Sequence, residues 1–588
     1  MELGELDRRA RREVFVLRNF NICNTPHAIW ITAILTVLSA ACAFAQIVEP
    51  VPIEDFLARS DYSLRDNQRN LGRITTCAIG DLNNDGYGDM IVGAPRAPNS
   101  QFPNDTNTGI VYVRKGLNYG LASTDVDEFF FNLTPTFSQT TTDTLSAVNF
   151  TDAQSRIAGT QIDGDLPGAL FGEVVAAGDF DGDGISDVAI TASQRLGPQG
   201  PGRVYIIKGR SGWEGYTSAT DEMDASRAMV VTGRVVGDEF GSSLDFEDVN
   251  GDGKEDLIIA TPKGADGRGE VDVLFGRDFG PVIVAPIESS LTSPTVHIVG
   301  PTTNDGFGLA VKGGDVDNDG IGDIVIGAPL TDQFGEEDAG GAYIFFGGLD
   351  GTSGALPAEV EIPVFGINTT IVNRPKGEAL GYSIGIGDVN GDGDNDLVLG
   401  APFGNWRTSN NAGKVYVHYF RNQYVRGSFY DNFFQNDVVF FGEQPDERLG
   451  QSLVVDQLTT DSIADMLLMA PFGTPIGRQW AGRGFFIVGR SGIDALSGEI
   501  ELNIINSDVL IYGDSAGEFT GSQMTTGDIT GDGVSDTGFV GDRSTGVNPN
   551  GLSYWTLIGK YYKPRTLDVS PPGSVSGVPA AEWMMLKE

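Results

Sequence analysis

Seven acidic loops recur along the chain, and in six of them positions 1, 5 and 9 are Asp, position 3 is Asp, Asn or Thr, and position 6 is Gly. The fullest reads Asp179-Phe180-Asp181-Gly182-Asp183-Gly184-Ile185-Ser186-Asp187. If such a loop curls on itself, the side chains at 1, 3 and 5 converge, the carbonyl of position 7 turns inward, and the carboxylate at 9 closes the shell. The candidate metal ligands are then Asp81, Asn83, Asp85, Tyr87 and Asp89; Asp179, Asp181, Asp183, Ile185 and Asp187; Asp248, Asn250, Asp252, Lys254 and Asp256; Asp315, Asp317, Asp319, Ile321 and Asp323; Asp388, Asn390, Asp392, Asp394 and Asp396; and Asp528, Thr530, Asp532, Val534 and Asp536. The position-7 residues serve through their backbone carbonyls. An all-oxygen set of up to about seven donors suits Ca²⁺, because Mg²⁺ demands a strict octahedron and keeps its water.

The electrostatics point the same way. Two unit charges about 4 Å apart repel by roughly 4 kcal/mol at an effective dielectric near 20. Three or four carboxylates in one loop are therefore strained without a cation, and about six Ca²⁺ sites are expected. Position 6 is glycine in these copies, and position 4 is glycine or asparagine, as at Gly182 and Asn318. Both residue types tolerate the positive φ that a loop wrapped around a point charge requires. One such loop alone would read as a solvated turn; six in one register do not. An EF-hand is excluded because its position 12 is Glu, whereas Ile190 and Ile259 stand there. Asn83, Asn250, Asn390 and Thr530 keep an oxygen at position 3 with lower expected affinity. The sixth copy has Gln457, Thr459, Asp461 and Ser462 at positions 1, 3, 5 and 6, and is expected to bind weakly or not at all.

These loops must be positioned by a repeated unit. They begin at Asp81, Asp179, Asp248, Asp315, Asp388, Gln457 and Asp528, roughly 70 residues apart after a longer first interval, and such a period decides architecture before local propensity does. A continuous apolar run leaves each loop, as in Leu257-Ile258-Ile259 and Leu397-Val398-Leu399, which predicts a strand buried on both faces. Two further runs follow, such as Val204-Tyr205-Ile206-Ile207 and Met229-Val230-Val231. Four short strands per unit predict an all-β fold, a seven-bladed β-propeller with four-stranded blades over residues 51–565. The segment near 51–70 is expected to complete the last blade. An insertion at about 118–157, rich in Thr, Ser and Phe, separates the first two loops and is a candidate partner surface. Trp213, Trp406, Trp480 and Tyr424 are candidate exposed aromatics.

The chain has 588 residues with Lys+Arg 39 and Asp+Glu 80, a net charge of −41. Such acidity excludes a general nucleic-acid or anionic-membrane binder. Arg8, Arg9, Arg11 and Arg12, the apolar run from Ala28 to Ala41 and Ala43-Phe44-Ala45 read as a signal peptide over 1–45. The chain is thus expected to be secreted or at the cell surface; an uncleaved signal anchor is the alternative, and the run is short for a span of about 20 residues. No later segment is apolar enough to cross a bilayer, and 566–588 is a polar tail. Of three cysteines, only Cys77 lies beyond the leader, and its apolar surroundings suggest a buried small hydrophobe. Three histidines supply a His-based metal centre poorly. Asn104, Asn132, Asn149 and Asn368 are acceptor sequons for glycans on a eukaryotic secretory route. Gly381-Tyr382-Ser383-Ile384-Gly385 matches the G-x-S-x-G elbow of hydrolases but stands at a repeat position, so no catalytic residue is assigned.

The signature Phe307-Gly308 with Gly327-Ala328-Pro329, repeated as Leu71-Gly72 with Gly93-Ala94-Pro95 and Leu380-Gly381 with Gly400-Ala401-Pro402, resembles the FG-GAP repeats of the integrin α-subunit propeller. The second and seventh copies drift to Thr191-Ala192-Ser193 and Val540-Gly541-Asp542. The resemblance covers about residues 60–560 and implies Ca²⁺ sites that serve the blades, with partners bound on the opposite face. It implies an adhesion or recognition module binding extracellular protein, not an enzyme. A carbohydrate-binding propeller or a secreted polysaccharide-acting enzyme is the alternative.

Overall fold

The computed structural model describes residues within 51–557, with gaps of which 117–158 is the longest. The described strands lie in one compact unit that begins at Pro50. The signal segment, the insertion, the C-terminal tail, Trp213, Tyr424 and the sequons at Asn104, Asn132 and Asn149 fall outside the described residues.

The second repeat shows how each unit is built. Strands Phe171–Gly178, Asp187–Ala192, Arg203–Ile207 and Ala228–Thr232 pair antiparallel in that order. The acidic loop joins the first to the second, and the register Gly178↔Asp187 brings its two ends together. The run leaving each loop is a six-residue strand buried along its whole length, from Asp89–Ala94 to Asp536–Gly541. Burial on both faces follows from sheet-on-sheet packing. Ile91 and Val111 of the first repeat share a cluster with Val188 and Tyr205 of the second, and Phe180 and Ile206 of the second share another with Leu257 and Leu274 of the third. A fully buried Ile or Val contributes about 1.5–3 kcal/mol, so these runs carry much of the core.

Seven sheets are formed among the described residues. Six of them hold five strands, not the four expected: in five, the connection between the third and fourth strands of the next repeat adds a short parallel strand, and in the sixth Val51–Pro52 from the N-terminal side pairs parallel with Val509–Tyr512. Gly215–Ser218 thus pairs with Gly159–Asp163, and Val284–Pro286 with Ala228–Thr232. This edge strand uses the otherwise open ladder groups of the outer edge. The sheet after Asp528 departs from that build. It has four strands, and its outermost, Ser63–Arg65, comes from the N-terminal side and pairs antiparallel with Ser553–Leu557.

The innermost strands touch in sequence order, and Thr76–Gly80 of the first sheet contacts Gln523–Gly527 of the last. The acidic loops repeat this circuit in hydrogen bonds. The N–H at position 8 of one loop donates to the position-1 carbonyl of the loop before: Ser186 to Asp81 at 3.0 Å, Glu255 to Asp179 at 3.0 Å, Gly322 to Asp248 at 3.0 Å, Ala464 to Asp388 at 2.8 Å and Ser535 to Gln457 at 3.0 Å. Asn395 reaches Asp315 through its side chain at 2.8 Å. Gly88 donates to Asp528 at 2.7 Å and joins the first loop to the last.

The Gly-Ala-Pro signature has a packing cause. A Cβ on Gly327 would lie 2.0 Å from the Gly381 carbonyl oxygen of the next repeat, and one on Gly400 2.1 Å from that of Gly450. Neighbouring sheets therefore meet backbone to backbone. Where the second repeat has Thr191 instead, its hydroxyl donates to the Gly241 carbonyl at 2.7 Å. Ser383, the serine of the elbow-like motif, likewise donates to Gly450 at 2.7 Å. Gly327→Ala is expected to cost about 1–3 kcal/mol or more by forcing these backbones apart. Urea unfolding checks this, and an unchanged midpoint contradicts the close approach.

Cys77 is buried and unpaired, and burial pushes its thiol pKa up, in keeping with a small core hydrophobe.

Candidate metal centres

Each loop first ties itself. In the second, the Asp179 carboxylate accepts the N–H groups of Asp183 at 3.0 Å and Gly184 at 2.8 Å, while Asp183 accepts that of Ile185 at 3.0 Å. The same three bonds recur in the loops at Asp81, Asp248, Asp315, Asp388 and Asp528. The curl uses the positive φ expected at positions 4 and 6, with Asn318 at 59° and Gly320 at 87°.

The position-9 carboxylate does more than the sequence suggested. It opens the second strand at 0–1 % exposure in Asp89, Asp187, Asp256, Asp323, Asp396 and Asp536. One oxygen accepts the position-2 N–H, from Phe180 to Asp187 at 3.1 Å and from Val389 to Asp396 at 3.0 Å. The other accepts an N–H just past the third strand, from Gly209 to Asp187 and from Gly347 to Asp323, both at 2.8 Å. This aspartate therefore pins three segments of its own sheet. Burial pushes its carboxyl up, to about 7 in Asp89, Asp323 and Asp396 and to about 8 in Asp187 and Asp256; neighbouring loop aspartates add to the rise and the backbone N–H groups oppose it. Repeat 6 keeps the anchor without the acidic loop. Asp465 accepts Gly489 N–H at 2.9 Å, and burial again pushes it to about 7.

Position 3 divides the loops into two kinds. Where it is Asp, three carboxylates offer oxygens within 4.8 Å of one another: Asp179, Asp181 and Asp187, and Asp315, Asp317 and Asp323. Where it is Asn, the amide nitrogen donates to both oxygens of position 9. Asn83 does so to Asp89 at 2.9 Å and Asn390 to Asp396 at 3.0 Å, and Asn250 to Asp256 at 3.1 and 3.2 Å. A buried carboxylate draws N–H groups strongly, so the nitrogen of each asparagine faces position 9 and the amide oxygen is the atom left to act as the cation ligand. Thr530 donates its hydroxyl to Asp528 at 3.4 Å. The donor chemistry fits a hard divalent cation: every candidate ligand is oxygen, and Asp181, only 8 % exposed, has one carboxylate oxygen without a hydrogen-bond partner.

Sequence reading missed one charged cluster because its members come from two repeats. Asp272, 0 % exposed, accepts two bonds from the Arg234 guanidinium at 2.8 and 2.7 Å and lies 2.9 Å from His297 Nδ1; Arg234 also binds Glu270 at 2.9 Å. Only the antiparallel pairing of Asp272 with His297 reveals it. Its carboxylates and His297 lie within 4.8 Å, but the guanidinium already supplies the compensating charge.

The FG-GAP repeat family matches residues 75–113, 171–207, 240–274, 307–345 and 380–418. The chain carries FG-GAP repeats. Each matched segment runs through an acidic loop and its buried second strand into the third strand. Among relatives, integrin alpha-PS2 of Drosophila melanogaster is 32% identical over 239 residues, 40% of this chain and 15% of that protein. Integrin alpha-IIb of Mus musculus is 28% identical over 241 residues, 39% of this chain and 20% of its own length. Phosphatidylinositol-glycan-specific phospholipase D of Homo sapiens is 30% identical over 168 residues, 28% and 18% of the two chains. The similarity thus spans a fifth or less of each relative. The propeller is integrin-α-like in its repeats. Among the described residues, no helix is long and apolar enough to cross a membrane.

Proposed function

We propose that this chain is a calcium-binding propeller of seven blades, exported from the cell, that recognises extracellular protein partners as a binding module and not as an enzyme. Calcium in the six acidic loops stabilises the blades on one face, and partners dock on the other. The observation that carries this reading is the segregation of the two surfaces. In an antiparallel blade the loops joining strands 1–2 and 3–4 share one end, and those joining 2–3 and 4–1 share the other. The acidic loops all join strands 1 and 2. The exposed large apolar side chains among the described residues, Val235, Val236, Leu309, Leu330, Phe334 and Trp480, all belong to the opposite end.

That end also bears a belt of aromatic rings and arginine. The Arg448 guanidinium lies 5.1 Å from the Phe403 ring and 4.3 Å from that of Phe472, which packs edge-on against Phe519 at 5.0 Å. Trp480 stacks on Phe519 at 6.1 Å and is 43 % exposed. Aromatic and arginine anchors of this kind dominate protein interfaces. Trp406, by contrast, stacks on Phe441 at 3.7 Å and is half-buried. The signal-like leader supports export, and the likeness to proteins named integrin α supports a protein partner.

The test is a double variant, Phe334→Ala with Trp480→Ala. It should melt like the parent yet lose binding to immobilised extracellular-matrix protein. Undiminished binding places the partner elsewhere. The likeness to a phosphatidylinositol-glycan-specific phospholipase D favours a second reading, and turnover of such a glycolipid by the purified chain would establish it; binding to a glycan array without any protein ligand would favour the carbohydrate alternative.

A further inference from the structure

We infer that the Lys208 ammonium takes the cation's place in the loop at 179–187, so that this loop is held together without metal and calcium must displace a tethered lysine to enter it. The inference rests on the calcium reading of the loops.

Lys208 immediately follows the third strand, Arg203–Ile207. Its neighbour Gly209 gives its N–H to Asp187 at 2.8 Å, so the backbone that anchors position 9 also aims the lysine at the loop. The Lys208 ammonium pairs with Asp181 and lies 2.7 Å from an Asp183 oxygen. It thereby bridges positions 3 and 5, two of the side chains expected to grip a cation. The Lys208 ammonium also lies over the Phe279 ring, 5.6 Å from its centroid. Asp181 is 6 % exposed at its side chain, and the oxygen not engaged by the lysine has no hydrogen-bond partner, which leaves a buried lone pair among three carboxylates within 4.8 Å.

The fourth repeat shows the same cradle without the lysine. Asp315, Asp317 and Asp323 cluster within the same distance, Gly347 donates to Asp323 at 2.8 Å, and the residue before that glycine is Phe346, fully buried. The third repeat has Phe275 there. An apolar side chain satisfies the fold at this position, so packing does not require a lysine. The first repeat has Lys115 at the same place in the sequence.

Asp179, Asp181 and Asp183 against one ammonium leave the loop negative. Calcium is therefore still attracted and competes with the lysine. A tethered ligand acts at high effective concentration, so the competition weakens calcium binding at this one loop by roughly tenfold or more. The other loops are unaffected.

The test uses the full chain with Lys208→Met, which keeps the length of the side chain and removes its charge, beside Lys376→Met, whose lysine pairs with exposed Glu337. Melting is followed in chelator and in millimolar calcium, and calcium is titrated calorimetrically. In chelator, Lys208→Met should melt below the parent; in calcium the deficit should vanish, and the titration should gain one site or tighten one by about tenfold. Lys376→Met should match the parent throughout. An unchanged melt in chelator, or an unchanged titration in a parent that does bind calcium, overturns the inference. A parent that binds no calcium fails the calcium reading itself and removes the competition with it.

Discussion

Chelating divalent cations is expected to lower the melting temperature of this protein markedly, and millimolar calcium to restore it. Each site that binds calcium only in the folded state adds about 2.7 kcal/mol when the free ion exceeds its dissociation constant a hundredfold. With several loops the sum is comparable to the whole stability of a typical domain. A matched pair of variants isolates the ion. Asp319 accepts Ile321 N–H at 2.9 Å in an intact loop, and Asp461 accepts Ile463 N–H at 3.0 Å in the degenerate one. Asp319→Ala and Asp461→Ala therefore remove the same local bond, and only the first also removes a cation ligand. In calcium Asp319→Ala should be the more destabilised; in chelator the two should converge. Calorimetry in both media decides, and equal effects in calcium contradict the assignment.

The buried position-9 aspartates add a pH signature. The carboxyls of Asp89, Asp187, Asp256, Asp323 and Asp396 stand at about 7 to 8, above the ordinary 3.8, so the folded chain holds protons that the unfolded chain has released. That contribution to stability is complete below about 3.8 and is lost as pH climbs through 7 to 8. In chelator, stability should fall across this window. Calcium favours the charged carboxylate and should flatten the slope.

What was legible in the sequence was whatever repeats within one unit. The acidic loops and the apolar runs after them, such as Ile324-Val325-Ile326, recur in register, and a period carries its own confirmation. Relations between units were not legible. The edge strand Gly215–Ser218 is four residues inside a connection, with no alternation to mark it, and it exists only because the preceding sheet offers an open edge. The glycine of Gly-Ala-Pro was visible as a motif, but its reason, a carbonyl of the next repeat 2.0 Å from where a Cβ would stand, lies in the docking of two sheets. At the candidate sites, spacing gave the ligand positions, but an amide has two ends, and which end of Asn83 faces Asp89 depends on the burial of that carboxylate. Lys208 escaped notice because it lies outside the loop in sequence and enters it only through the third strand.

Replacing Arg234 with Met should cost about 3–5 kcal/mol, the usual penalty for stripping one partner from a buried ion pair. Arg234 follows the fourth strand of repeat 2, Ala228–Thr232, while Asp272 and Glu270 lie on the third strand of repeat 3, so the pair clamps two neighbouring sheets. Desolvation acts to raise the Asp272 carboxyl, but hydrogen bonds from His297 and Arg234, with the charge of the guanidinium, outweigh it and hold the group below its ordinary value. A depressed carboxyl contributes stability above its unfolded value near 3.8, and that contribution is lost as pH falls through the depressed one. Without Arg234 the balance reverses: burial dominates, and Asp272 is left with His297 alone. The variant should therefore be weakest relative to the parent near pH 7, and the gap should narrow in acid as Asp272 takes up a proton. Adding Asp272→Asn to Arg234→Met should recover part of the loss, because the neutral amide needs no counter-charge. Urea midpoints of the three proteins at pH 7 and near pH 4 test this, and a single variant as stable as the parent at pH 7 would show that the clamp does not hold the sheets together.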